Sequence, residues 1–201
     1  IQAKASIGLD FSSALRAIVR QDPDIIMIGE MRDLETARIA IQSALTGHLV
    51  LSTIHTNSAA GGITRLIDMG VEDYLLTSTI NGLLAQRLTR RLDKSSMEKY
   101  PVMPEMAEEL KLHEISDAKE FNFYRPQPSE INPTGYGGRL SILECLTMTE
   151  DIRRLVMKGA TSGEIQRQAQ AEGMLTMYQD GLLKCLAGDT SFEEVIRVSH
   201  E

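Results

Sequence analysis

Two short stretches of this chain carry side chains that could handle a phosphoryl group. The first is Asp22-Pro23-Asp24-Ile25-Ile26-Met27-Ile28-Gly29-Glu30-Met31-Arg32-Asp33. Four apolar residues and a glycine set Glu30 just past the carboxyl end of a short buried strand, where open α/β sheets receive their ligands. A carboxylate there could orient or activate a water, or act through Mg²⁺. The second is Thr46-Gly47-His48-Leu49-Val50-Leu51-Ser52-Thr53-Ile54-His55-Thr56-Asn57. His55 falls at the same strand end as Glu30, whereas His48 precedes its strand and belongs to the opposite end. Thr53, His55 and Thr56 could donate hydrogen bonds to phosphoryl oxygens. Either histidine taken alone is more ordinarily a cap or a satisfied core group.

Arginines add to this set. Arg16 and Arg20 lie one helical turn apart and share a face, and Arg32 adjoins Glu30. Guanidinium groups suit phosphate binding, and the same spacing serves an exposed salt bridge equally well. Arg87, Arg90 and Arg91 form a small basic patch that suits a subunit contact. A bis-histidine metal site is a poor fit, because a strand separates the rings and no third ligand is at hand. No Gly-x-x-x-x-Gly-Lys-Ser/Thr loop occurs in the 201 residues: Lys94-Ser95-Ser96 lacks the glycines, and Gly159 and Gly163 lack the lysine.

The elements that must position these groups follow from hydrophobic spacing. Phe11, Leu15, Ile18 and Val19 form a helical stripe that Pro23 ends. Ile25–Ile28 and Leu49–Leu51 are apolar runs without alternation and read as strands buried on both faces. Between them Leu34, Ala37, Ile41 and Ala44 mark a helix, capped by Asp33 and stopped by Gly47. This order implies an α/β fold with parallel strands. Helices follow near Ile63–Ile67 and from Asp73 to Ala85, then a strand over Gln86–Leu92. The stretch 93–134 holds five of the six prolines and reads as an irregular insertion with one short helix and one strand. Gly135–Gly138 is a turn and Arg139–Thr147 a strand. The remainder is helical, with Thr149 as a cap and capping boxes at Thr161/Glu164 and Ser191/Glu194.

Composition narrows the function classes. The formal net charge is −7, which argues against a general nucleic-acid coat, and tryptophan is absent, which argues against base-stacking platforms. Cys145 and Cys185 can build neither a disulfide framework nor a four-cysteine zinc site. No apolar run reaches the length of a membrane span. The chain opens on Ile1 and enters patterned sequence at once, as a piece of a longer protein would.

Taken together, these stretches resemble the secretion and type IV pilus motor ATPases. Ile28-Gly29-Glu30-Met31-Arg32-Asp33 resembles the family's Walker B box, and Thr46-Gly47-His48 through Asn57 its histidine box. Leu15-Arg16 through Asp24, Arg65–Gly70, Asn81–Leu88, Gly135–Arg139, Asp180–Leu182 and Gly188–Thr190 also match. The resemblance implies a partial RecA-like parallel sheet with flanking helices, followed by a mainly helical C-terminal subdomain. It divides the chain into a core over 1–92, an insertion over 93–138 and a C-terminal part over 139–201. It implies a homo-hexamer that hydrolyses ATP with Mg²⁺ for type II secretion or pilus assembly. The place implied is the bacterial cytoplasm, at inner-membrane platform proteins and without nucleic acid. The P-loop and an acidic box would precede Ile1, so the chain alone should be inactive.

By position, Glu30, His55 and His48 take catalytic roles, and Arg32, Thr53, Arg16 and Arg20 contact the nucleotide. Many family members carry a four-cysteine zinc module where this chain has Asp93–Ser96 and Ile131–Thr134, so no zinc is expected. Met31 also occurs in retraction motors. The alternatives are a retraction or conjugation motor and, in another class, a non-enzymatic interaction fragment.

Overall fold

The computed structural model describes residues 11–199. The first elements are α1 (Phe11–Val19), β1 (Ile25–Ile28), α2 (Leu34–Leu45), β2 (Leu49–Ser52), α3 (Ala59–Asp68) and α4 (Asp73–Thr79). Next come β3 (Gly82–Leu92), β4 (Glu98–Pro101), α5 (Pro104–Glu109), α6 (Leu112–Ile115), β5 (Asn122–Arg125) and β6 (Tyr136–Thr147). Four helices close the order: α7 (Glu150–Met157), α8 (Ser162–Ala171), α9 (Met177–Leu186) and α10 (Phe192–Ser199). The described residues fall into two compact units, one of 11–83 with 146–172, the other of 84–145 with 173–199.

In the first unit β1 and β2 pair in parallel, Ile25 beside Leu49 through Ile28 beside Ser52. The intervening α2 begins at Asp33, whose carboxylate accepts from the Thr36 amide at 2.8 Å. It ends before Gly47, whose φ of +103° is open to glycine at little cost. Leu15 of α1 and Ala40 of α2 pack on Ile26 and Ile28. A neighbouring cluster joins Ala37, Ile41, Leu66, Val71 and Leu76.

The expectation that both faces of these strands are buried is not met. Ile25, Met27, Leu49 and Leu51 are exposed, Met27 at 77%. Side chains alternate along a strand, and among the described residues α1 and α2 cover only one face. A continuous apolar run looks the same in sequence whether one face or both are covered.

The helix expected to run from Asp73 to Ala85 stops at Thr79. Thr77, Ser78 and Thr79 each turn a hydroxyl back onto a carbonyl of the preceding turn, those of Tyr74 and Leu75, at 2.6–3.1 Å. Such bonding competes with helix propagation. Gly82 then opens β3, which begins four residues earlier than the expected strand and pairs with β6.

The second unit contains what sequence reading takes for an irregular insertion. It holds an antiparallel pair, β4 with β5, and the two short helices α5 and α6, one strand and one helix more than expected. Phe123 of β5 is fully buried with Leu112, Leu182 and Val195, and stacks on Phe192 at 5.4 Å. At the base of this excursion Asp93 accepts hydrogen bonds from Ser95 Oγ at 2.6 Å and from Asn132 Nδ2 at 2.9 Å. Asn132 also donates to the Tyr136 carbonyl at 3.0 Å, so 93 and 132 are tied directly.

The Thr161/Glu164 capping box is present, as is one at Thr176/Gln179 that the sequence reading passes over. At Ser191/Glu194 only half of the box forms. The Glu194 amide donates to Ser191 Oγ at 3.4 Å, but the carboxylate is used elsewhere. It accepts from the guanidinium and amide of Arg90, both at 2.8 Å, and from Arg197 at 2.9 and 3.0 Å. Glu194 is 1% exposed. Burial opposes its charge, but the hydrogen bonds from Arg197 and Arg90 outweigh it and lower the pKa from 4.5 to about 2.

A depressed carboxyl pKa stabilises the fold above the unfolded value and ceases to do so as pH falls through the folded one. The contribution of Glu194, on the order of 3 kcal/mol, is therefore full above about pH 5 and fades toward pH 2. Urea unfolding of the parent and Glu194→Gln across this range should show a stability gap that shrinks on acidification. A second expectation concerns Gly181, where a Cβ would sit 2.6 Å from Val195 Cγ1. Alanine there gains about 1 kcal/mol of helix propensity and loses about 1–3 kcal/mol to overpacking. Thermal unfolding should show a net lower Tm for Gly181→Ala, and Val195→Ala in the same chain should cost less than the two single changes summed.

Candidate functional site

Parallel pairing brings the carboxyl ends of β1 and β2 side by side, since Ile28 is the register partner of Ser52. Beyond those ends the two chains stay in contact. The Met31 amide donates to the Thr53 carbonyl at 2.9 Å, and Thr53 Oγ1 donates to the Gly29 carbonyl at 2.6 Å. Glu30 lies between these bonds and projects a carboxylate with both oxygens engaged. Arg32 approaches Oε1 at 2.7 Å, and His55 Nε2 lies 3.2 Å from Oε2. The carboxylate side chain is 32% exposed, Arg32 72% and His55 86%, so the group faces solvent on a rigid base.

The hydrogen bond from Arg32 and its charge, with a smaller contribution from His55, hold the Glu30 carboxyl below the usual glutamate range against a partial desolvation that opposes ionisation. At neutral pH Glu30 is thus an anionic acceptor beside two nitrogen donors. Such a group can orient a water through its lone pairs while its neighbours face an anionic substrate.

The other expected site residues are placed differently. His48 precedes β2, with Nδ1 2.9 Å from the Ser43 carbonyl and 3.1 Å from Thr46 Oγ1. There it closes the end of α2, separated from Glu30 by the length of the strand. Arg16 on α1 forms a salt bridge with Glu35 of α2, beside a shallow depression lined by Leu34, Arg38, Ile39 and Gln42. Arg20 lies exposed in the turn after α1. The structure therefore gathers Glu30, Arg32, Thr53 and His55, and leaves His48, Arg16 and Arg20 apart from them. It adds the loop that carries His55: Thr56 Oγ1 donates to the Ser58 carbonyl, and Ser58 Oγ accepts from the Gly61 amide, both at 3.0 Å. Serine just ahead of Ala59-Ala60 is a recognisable helix start.

Among the described residues no group of three or more His, Cys, Asp or Glu side chains could hold a metal ion by itself; Mg²⁺ is ordinarily held by one or two carboxylates together with substrate phosphates and waters. A nucleotide's phosphates suit Arg32 and His55, which present nitrogen donors at an open strand end.

The family model for type II/IV secretion system proteins matches residues 1–197. The chain is 64% identical over its whole length to type II secretion system protein E of Xanthomonas campestris pv. campestris, of which it covers 35%. It is 45% identical over 197 residues, 96% of its length, to the type IV pilus assembly ATPase PilB of Pseudomonas aeruginosa, of which it covers 34%. The chain thus spans about a third of the length of the curated relatives it matches. Among solved structures, the pilus retraction motor PilT with bound ADP superposes with a TM-score of 0.66 at 27% identity. That superposition covers 96% of this chain and 44% of PilT. The Legionella pneumophila ATPase DotB superposes at 0.63 and 21% identity, over 94% of this chain and 42% of its own, a likeness of fold. The α/β architecture is part of the RecA-like fold of these ATPases, and the chain belongs to the type II/IV secretion system protein family.

Proposed function

We propose that this chain is the part of a hexameric motor ATPase that carries the water-positioning carboxylate, and that the motor drives type II secretion or type IV pilus assembly. The observation that carries the reading is the junction of Glu30 with Arg32 and His55 at the shared end of two parallel strands. In phosphoryl transfer the protein's task is mostly positioning and charge stabilisation. Glu30 supplies an acceptor that aligns a water, and His55 and Arg32 supply donors that meet phosphoryl oxygens as they draw near. ATP brings the transferable phosphoryl group, held by a P-loop outside these 201 residues.

Arg16, which lies on Glu35, and Arg20, exposed after α1, remain proposed nucleotide contacts. The proposed partners are further copies of the chain and platform proteins at the cytoplasmic face of the inner membrane. Among the described residues no helix is long and apolar enough to cross a membrane. A core over 1–92, an insertion over 93–138 and a C-terminal part over 139–201 remain the proposed functional division. Secretion or pilus assembly is favoured over retraction by 64% and 45% identity to protein E and PilB against 27% to PilT.

Glu30→Gln in the full-length protein should lower ATP turnover by on the order of 10²-fold while nucleotide binding survives. Steady-state hydrolysis and equilibrium binding measure the two separately. Turnover within about twofold of the parent, with the hexamer intact, would instead mark Glu30 as a solvated strand-end carboxylate. The 201-residue chain alone should turn over no ATP, which a contaminant-free phosphate-release assay checks.

A further inference from the structure

The peptides on either side of Glu30 are held by one residue of the neighbouring strand end. Thr53 Oγ1 donates to the Gly29 carbonyl at 2.6 Å, and the Thr53 carbonyl accepts from the Met31 amide at 2.9 Å. The space around Gly29 is open, for a Cβ built there would meet nothing within 4 Å. Packing therefore does not restrain this glycine, and glycine backbone is the most permissive of all. The two bonds to Thr53 restrain the direction in which Glu30 leaves β1. Thr53 suits the task because a β-branched side chain has few χ1 choices, which aims its hydroxyl.

We propose that Thr53 is a positioning residue for Glu30, clamping the Gly29 carbonyl with its hydroxyl and the Met31 amide with its carbonyl. This rests on the reading of Glu30 as the group that aligns the attacking water. A threonine hydroxyl has one proton to give. With that proton on Gly29, Thr53 does not donate to a phosphoryl oxygen, so its effect on hydrolysis passes through Glu30. The lowered pKa of Glu30 depends on the same geometry, because Arg32 on its own segment and His55 on the Thr53 segment must both reach the carboxylate.

The test compares Thr53→Val, Thr53→Ala, Thr53→Ser and Glu30→Gln in the full-length protein. Removing the hydroxyl should lower kcat about tenfold and leave the KM for ATP within about twofold. Thr53→Ser, which keeps the hydroxyl, should stay within about twofold on both. The acid limb of the kcat profile should move to higher pH in Thr53→Val, as the carboxylate leaves Arg32 and His55; a merely structural role would lower Tm without moving that limb. Thr53→Ala supplies the same readings if Thr53→Val does not fold. The proposal is overturned if the Val and Ala variants keep kcat within twofold while Glu30→Gln loses it, or if they raise KM and keep kcat, as a nucleotide contact would. Should Glu30→Gln itself keep turnover, the proposed function fails and amide exchange decides the clamp. Faster exchange at Met31 in the Val and Ala variants upholds it, and unchanged exchange overturns it.

Discussion

The parallel pairing of β1 with β2 is the constraint from which the site follows. Parallel strands end together, so groups just past Ile28 and Ser52 must meet, although 24 positions separate those two residues. An antiparallel pair with the same residues would have sent His55 to the far end from Glu30. The helix α2 makes the pairing parallel by carrying the chain back along the strands, and its two ends are closed by Asp33 and by Gly47 with His48. Apolar contact on one face, Leu15 and Ala40 against Ile26 and Ile28, holds the pair in place. The exposed carboxylate thus stands on a base whose own stability is hydrophobic and independent of the charges above it.

Charge is handled oppositely in the two units. Glu30 remains partly open to solvent, and its two nitrogen-bearing neighbours, Arg32 and His55, are themselves well exposed. Its contacts are consequently soft, screened by salt and able to exchange partners when another anion arrives. Glu194 is sealed, and every lone-pair direction it offers is met by Arg90 or Arg197. Breaking that set would leave a buried charge, so it serves as a fixed joint between β3 and α10. The same residue type is adaptable in one place and fixed in the other because burial and the number of donors that meet it differ.

Much of this was legible from residue order, and the failures have physical causes. Glu30 and His55 could be brought to one strand end because apolar runs, a glycine and an intervening helical stripe define direction without contacts. Periodicity carries the helix after Asp73 too far because propensity does not register three hydroxyls in succession turning back on their own helix. The open face of Ile25 and Met27 is invisible in sequence because burial on one face and on two leaves the same apolar run. Ser191/Glu194 matched a capping box by spacing, yet a stronger donor, the guanidinium of Arg90, lay 104 positions away. Thr53 stood within a recognised stretch, but its tie to Gly29 is a property of strand register and could not be seen before the strands were aligned.

The tie between Asp93 and Asn132 has a consequence of its own. It closes the excursion that contains β4, α5, α6 and β5 with a carboxylate, an amide and a hydroxyl. None of these groups is oxidised under ordinary conditions, and none needs a bound ion to hold its geometry. The closure is consequently indifferent to chelators and to the thiol chemistry of its surroundings. Nor does it age readily, because Pro133 follows Asn132 and, having no backbone N–H, cannot close the succinimide ring through which asparagines ordinarily deamidate.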